Sequence, residues 1–199
     1  MAAAQDEVYE AVVRDIITPS DGRIRVTQLV FDEMVLTPSG YENESSSCEA
    51  QARKQIWLEN AKLPYDSLAD KAYRFFTRDS YDDTLKPDTI KDFLKKFCTP
   101  GQLSRTFHTD LPRSFVGDER FDFGGGLILP RKGEPPAKRF PGAGGRISFS
   151  RVGFDSHLDE AIVATSFVCG WLCGSGDRYV LRKRQGRWEV VNKWMVWVS

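Results

Sequence analysis

The stretch that most constrains this chain is its last fifty or so residues, 147–199. It reads ISFSRVGFDSHLDEAIVATSFVCGWLCGSGDRYVLRKRQGRWEVVNKWMVWVS and holds two of the four cysteines and four of the five tryptophans. Turn-forming clusters at 155–159, 170–176 and 185–186 divide it into four apolar-rich runs. Runs of this length between turn signals predict antiparallel strands at 146–154, 161–169, 177–183 and 188–198. That pattern is a four-stranded C-terminal meander, and the rest of the chain must supply what covers it. A chain of 199 residues can bury a full core as one domain without a metal or a dense disulfide set. The expected unit is therefore a single domain over residues 1–199.

Upstream, the pattern changes to the helical period. In residues 6–17, Val8, Val12 and Ile16 form one stripe with Tyr9, Val13 and Ile17 beside it, and 18–22 ends the run with turn formers. Residues 23–31 read as a strand in which Ile24 and Val26 alternate with polar residues. From Leu29 onward both faces are apolar, which suits burial on both sides. Helices are expected at 48–62, 66–77 and 84–98. The last has Pro87 and Asp88 in its first turn and Ile90, Phe93, Leu94 and Phe97 as its apolar face. Residues 101–146 are the least regular part, punctuated by glycine and proline, with one short strand at 126–129. The fold class that follows is α+β. Helices within 6–98 pack on one face of a mainly antiparallel sheet built from 146–198, joined by the strand at 23–31.

Charge narrows the partners. Residues 1–100 carry 13 basic and 18 acidic side chains, net −5, and residues 101–199 carry 15 and 10, net +5, so the chain is neutral as a whole. Balanced charge argues against a dedicated nucleic-acid or membrane-surface protein. The basic hairpin of Arg178, Arg182, Lys183, Arg184 and Arg187 reads as a solvated face offsetting the acidic half. No apolar run approaches the ~18 residues needed to span a bilayer. The opening Met-Ala-Ala-Ala-Gln lacks the charged start and long apolar core of an export signal. It reads either as the small-residue remnant of one or as a plain N-terminus.

Motif chemistry is sparse. Cys169 and Cys173 have three residues between them, unlike the Cys-x-x-Cys of thiol oxidoreductases, and sit between strands rather than at a helix start. The pair suits a local disulfide, two packed thiols, or metal or redox chemistry, though nothing nearby supplies the remaining ligands zinc would need. Cys48 and Cys98 are candidates for a second bridge between helices. The two histidines, His108 and His157, read as surface residues, and His108, Asp110 and Asp155 are the polar candidates for a catalytic dyad. Asp79, Asp82 and Asp83 cluster without the spacing of an EF-hand. There is no nucleophile elbow, zinc-protease helix or phosphate loop, so the sequence calls for no catalytic set, metal or cofactor. Aromatic residues Phe149, Phe154, Phe167 and Trp171 would line an apolar pocket if the sheet enclosed one.

The run 148–154, the Cys169-Gly-x-Leu-Cys173-Gly-x-Gly176 string, Gly186-x-Trp188 and the terminal Trp-Val-Ser resemble a family of bacterial exported proteins. A weaker echo lies in 89–93 and 139–144. The resemblance covers mainly 147–199 and implies an exported location and architecture, not an activity. A looser likeness is to nuclear-transport-factor-like and cystatin-like folds, in which helices pack on one curved sheet. Such folds host both enzymes and binders, and the preferred reading is a non-enzymatic exported binding or interaction module with the concave sheet and the 101–146 loop as its surface. The alternatives are a small hydrolase or isomerase using a pocket of such a fold, and a thiol redox protein.

Overall fold

The computed structural model describes residues 2–17, 27–35, 85–97, 99–117, 121–122, 138–140, 142–170 and 173–198. The expected helices at 48–62 and 66–77, the strand at 126–129, the acidic loop at 79–83, Cys48, Cys98 and Trp171 lie outside these residues. Helix α1 is Ala2–Ile17 and α2 is Pro87–Phe97. The strands are β1 Leu29–Asp32, β2 Arg113–Val116, β3 Phe121–Asp122, β4 Lys138–Arg139, β5 Arg146–Phe149, β6 Gly153–Phe154, β7 Glu160–Gly170, β8 Cys173–Arg184 and β9 Arg187–Val198.

The main sheet runs β2-β1-β5-β7-β8-β9, with β6 also paired to β7. The C-terminal strands pair antiparallel, whereas β1 lies parallel to both β2 and β5. The architecture is therefore α+β with a mixed, mostly antiparallel sheet. Gln185 and Gly186, at φ 50° and 80°, make the tight turn between β8 and β9. Positive φ at both central positions matches the right-handed twist of the flanking strands.

The two described helices lie on opposite faces of the sheet, not on one face as the sequence suggested. Strand alternation shows this directly. Ala161, Val163, Tyr179 and Leu181 pack with Val8, Tyr9 and Val12 of α1. Their neighbours Ile162, Ala164 and Val180 pack instead with Ile90, Phe93 and Phe97 of α2. The α1 side is the larger core. There the Tyr9 ring lies 4.8 Å from Phe149, and Phe31 lies 5.2 Å from Phe107 and 5.9 Å from Phe149.

Three boundaries also differ from expectation. The single strand expected at 146–154 is split into β5 and β6, because Ser150 bonds Ala164 through its side chain. Ser150 N–H donates to Ala164 O at 2.9 Å, while Ala164 N–H donates to Ser150 Oγ at 2.9 Å. The Tyr9 hydroxyl then donates to the Ser150 carbonyl at 2.9 Å, tying α1 to the break. The turn expected over 170–176 is shorter, since β8 already begins at Cys173. Finally, the irregular region contains β2, four residues bounded by Pro112 and Gly117, which flanks β1 in the main sheet, and the small parallel pair β3–β4.

Candidate functional site

The α2 face of the sheet changes character where α2 ends. Under the helix it is apolar, with Ile162, Ala164 and Val180. Following the same alternation past Phe97, β7 presents Ser166 and Val168, and β8 presents Arg178, Gly176 and Gly174. On β5, Ile147 and Phe149 belong to the α1 core, so Arg146 and Ser148 take the α2 face. On β1, Leu29 and Phe31 face α1, leaving Val30 and Asp32 opposite.

The result is a polar strip across four adjacent strands, about 14 Å wide at ~4.8 Å per strand. Ser148 stands directly opposite Ser166, and Ser166 opposite Gly176. The Ser148 hydroxyl donates to Asp32 Oδ2, and Arg146 Nη1 lies 3.1 Å from Asp32 Oδ1. Arg178 stacks its guanidinium 5.3 Å from the Phe97 ring, where α2 stops. Ser148 and Ser166 are buried, while the Arg146 side chain is 28% exposed and that of Asp32 19%. Among the described residues, the strip holds two arginines and one aspartate. Gly174 and Gly176 place no side chain on its floor.

The sequence-derived candidates sit elsewhere. His108 and Asp110 come together on a shallow cleft of about 40 Å³ beside α1, with Glu10, Val13, Arg14 and Ile17. His108 Nε2 is 3.7 Å from Asp110 Oδ1, with both side chains about four-fifths exposed (80% and 79%). The backbone N–H of His108 donates to Glu10 Oε1 at 2.6 Å, which holds the loop on the helix.

Asp155 is buried in a different cluster. Lys86 Nζ donates to its Oδ2 at 2.8 Å, and the backbone N–H groups of Asp159 and Glu160 donate to its Oδ1 at 2.9 and 3.1 Å. Burial alone would raise the Asp155 pKa, but these donors outweigh it and hold the carboxyl well below the usual carboxylate range. In turn, Asp155 and Asp159 push the Lys86 ammonium above its ordinary value. Buried Glu160 completes the cluster, accepting from Lys86 N–H at 2.7 Å and Thr89 Oγ1 at 2.9 Å, with Arg182 Nε at 3.3 Å. Glu160 thus caps the start of α2 from the sheet. His157 Nδ1 is 3.6 Å from Asp155 Oδ2, with its side chain 78% exposed. This cluster fastens α2 to the β6–β7 corner.

Three of the four aromatic candidates pack in or against the core. Phe149 is fully buried, Phe154 packs 5.7 Å from the Trp188 ring, and half-buried Phe167 lies over Gly145. A disulfide joins Cys169 to Cys173, with Cα atoms 5.1 Å apart. No cluster of three or more metal-ligating side chains occurs among the described residues. Sequence reasoning missed the strip, because its residues come from four separated segments. The available signal was polar residues spaced by two inside strands: Arg146 and Ser148, then Gly174, Gly176 and Arg178. No family model matches the chain, and no curated protein or solved structure matches it.

Proposed function

We propose that this chain is a non-catalytic binding domain that works in an oxidising compartment outside the cytoplasm. On this reading the strip of Asp32, Arg146, Ser148, Ser166 and Arg178 holds a small anionic ligand of the di- or tricarboxylate kind. The observation that carries the reading is the abrupt switch from apolar to polar on one sheet face. A buried hydroxyl costs roughly 1–3 kcal/mol unless hydrogen-bonded, so packing alone would favour alanine or valine at Ser166, whereas Asp32 accepts from Ser148. Two guanidinium groups on one face favour an anion, and the Ser166 hydroxyl beside them supplies a further donor. The Cys169–Cys173 bond supports the compartment, since such bonds persist where thiols are not kept reduced.

Calorimetric titration with citrate and with inorganic phosphate tests the ligand site. The wild type should bind one of them, and the double substitution Ser148→Ala, Ser166→Ala should weaken binding about tenfold while costing about 1–3 kcal/mol of stability for the lost Ser148–Asp32 hydrogen bond. Unchanged affinity in a folded double variant contradicts the reading.

A second reading, a small hydrolase or isomerase, is favoured by His108 and Asp110 sharing one cleft. Against it stands size, since substrate sites run to about 300–1,000 Å³. A thiol oxidoreductase draws less support, because Cys169 and Cys173 join two strands and have no helix N-terminus to stabilise a thiolate.

A further inference from the structure

We propose that the Cys169–Cys173 disulfide is a redox-sensitive brace on the strip, whose reduction by a dithiol loosens the end of the β7–β8 hairpin and weakens ligand binding. The loosening stands on the hairpin's own geometry; its effect on affinity rests on the anion-site reading given above.

The bond closes a hairpin end that has little other support among the described residues. Pairing between β7 and β8 shifts register between Val168 and Gly170, so Cys169 sits at a bulge next to the final rung, Gly170 with Cys173. The neighbouring strands give out here. The β5 pairing ends at Arg146 with Val168, and the β9 pairing ends at Val198 with Ser175. Among the described residues, the helix contacts also stop short. The last from α2 is Phe97 with Arg178, and towards the end of α1, Asp15 lies 3.5 Å from Lys193. Gly170, Gly174 and Gly176 occupy these rungs, and glycine weakens a strand because it loses the most backbone freedom and packs no side chain. The covalent link therefore holds an end that the described helices do not reach.

The same rungs belong to the strip. Ser166 pairs with Gly176 and Val168 with Gly174, so any loosening propagating inward moves a ligand-facing hydroxyl and the floor beside it. Access is available, since Cys173 is exposed. A dithiol's thiolate attacks one sulfur of the bond and forms a mixed disulfide, releasing the other cysteine as thiolate. The dithiol's second thiol then displaces the remaining cysteine. Two electrons and two protons end on Cys169 and Cys173, and the reductant leaves as its own disulfide.

The test compares the untreated protein, the protein reduced with dithiothreitol and the Cys169→Ser, Cys173→Ser variant. Amide hydrogen exchange is followed residue by residue, and citrate and phosphate are titrated by calorimetry. Exchange at Val168, Gly170, Cys173 and Gly174 should rise about tenfold on reduction, with Ala161, Val163, Val180 and Leu181 within about twofold. Affinity should fall about fivefold and recover on reoxidation. Unchanged exchange at the four hairpin amides, or unfolding of the whole domain, overturns the brace. Equal affinity in both redox forms overturns the coupling. If the oxidised protein binds neither probe, the anion site and the coupling fall together, and the exchange data decide the loosening by themselves.

Discussion

Gly153 shows how little room the fold leaves at single positions. A Cβ there would lie 2.4–2.5 Å from the backbone N, Cα and Cβ of Phe93, so α2 rests on the bare backbone of β6. Helix backbone cannot yield as a flexible side chain can. Gly153→Ala should therefore cost about 1–3 kcal/mol in urea unfolding, the usual range for overpacking. Asp155 offers a test by pH. Its folded pKa is depressed, so its contribution is fully present above the unfolded value, ~4, and is lost as pH falls through the folded one. Wild-type stability should drop below about pH 4, whereas Asp155→Asn should start lower and lose less over the same range. Parallel acid limbs for the two proteins would remove Asp155 from the account. The role of Asp155 could not be read from sequence, because its partner Lys86 is 69 residues away.

Among the elements, local periodicity carried far. The stripes in 6–17 and 84–98 match α1 and α2 to within a few residues, because a 3.6-residue apolar period and a first-turn proline are local facts. What the reading lost was sidedness. Ala161, Ile162, Val163 and Ala164 are apolar without a break, which marks a strand buried on both faces and so requires covers on both. The break at Ser150 was also invisible, since a serine side chain standing in for a ladder bond leaves no pattern. Ser150→Ala removes the acceptor for Ala164 N–H and should cost about 1–3 kcal/mol, with faster amide exchange confined to Ala164 and its neighbours. The disulfide, closing a short loop, should contribute about 2 kcal/mol by chain entropy, and reduction should lower the unfolding free energy by no more than that.

At the scale of the whole molecule, the sheet has an apolar α1 face and an α2 face that changes from apolar to polar along its strands. The α1 face is closed by interlocking aromatic rings of Tyr9, Phe31, Phe107 and Phe149. On the α2 face the described helix reaches as far as Phe97, and beyond it the same strands turn mainly to serine, glycine and arginine. That division, more than any single residue, is what points to binding. The most direct measurement is an amide-resolved NMR titration of the oxidised protein with citrate. Saturable shifts should centre on Arg146, Ser148, Ser166 and Gly176, and Arg146→Gln should weaken them about tenfold. No saturable shifts, or shifts confined to Glu10, His108 and Asp110, would contradict the account and move the site to the cleft beside α1.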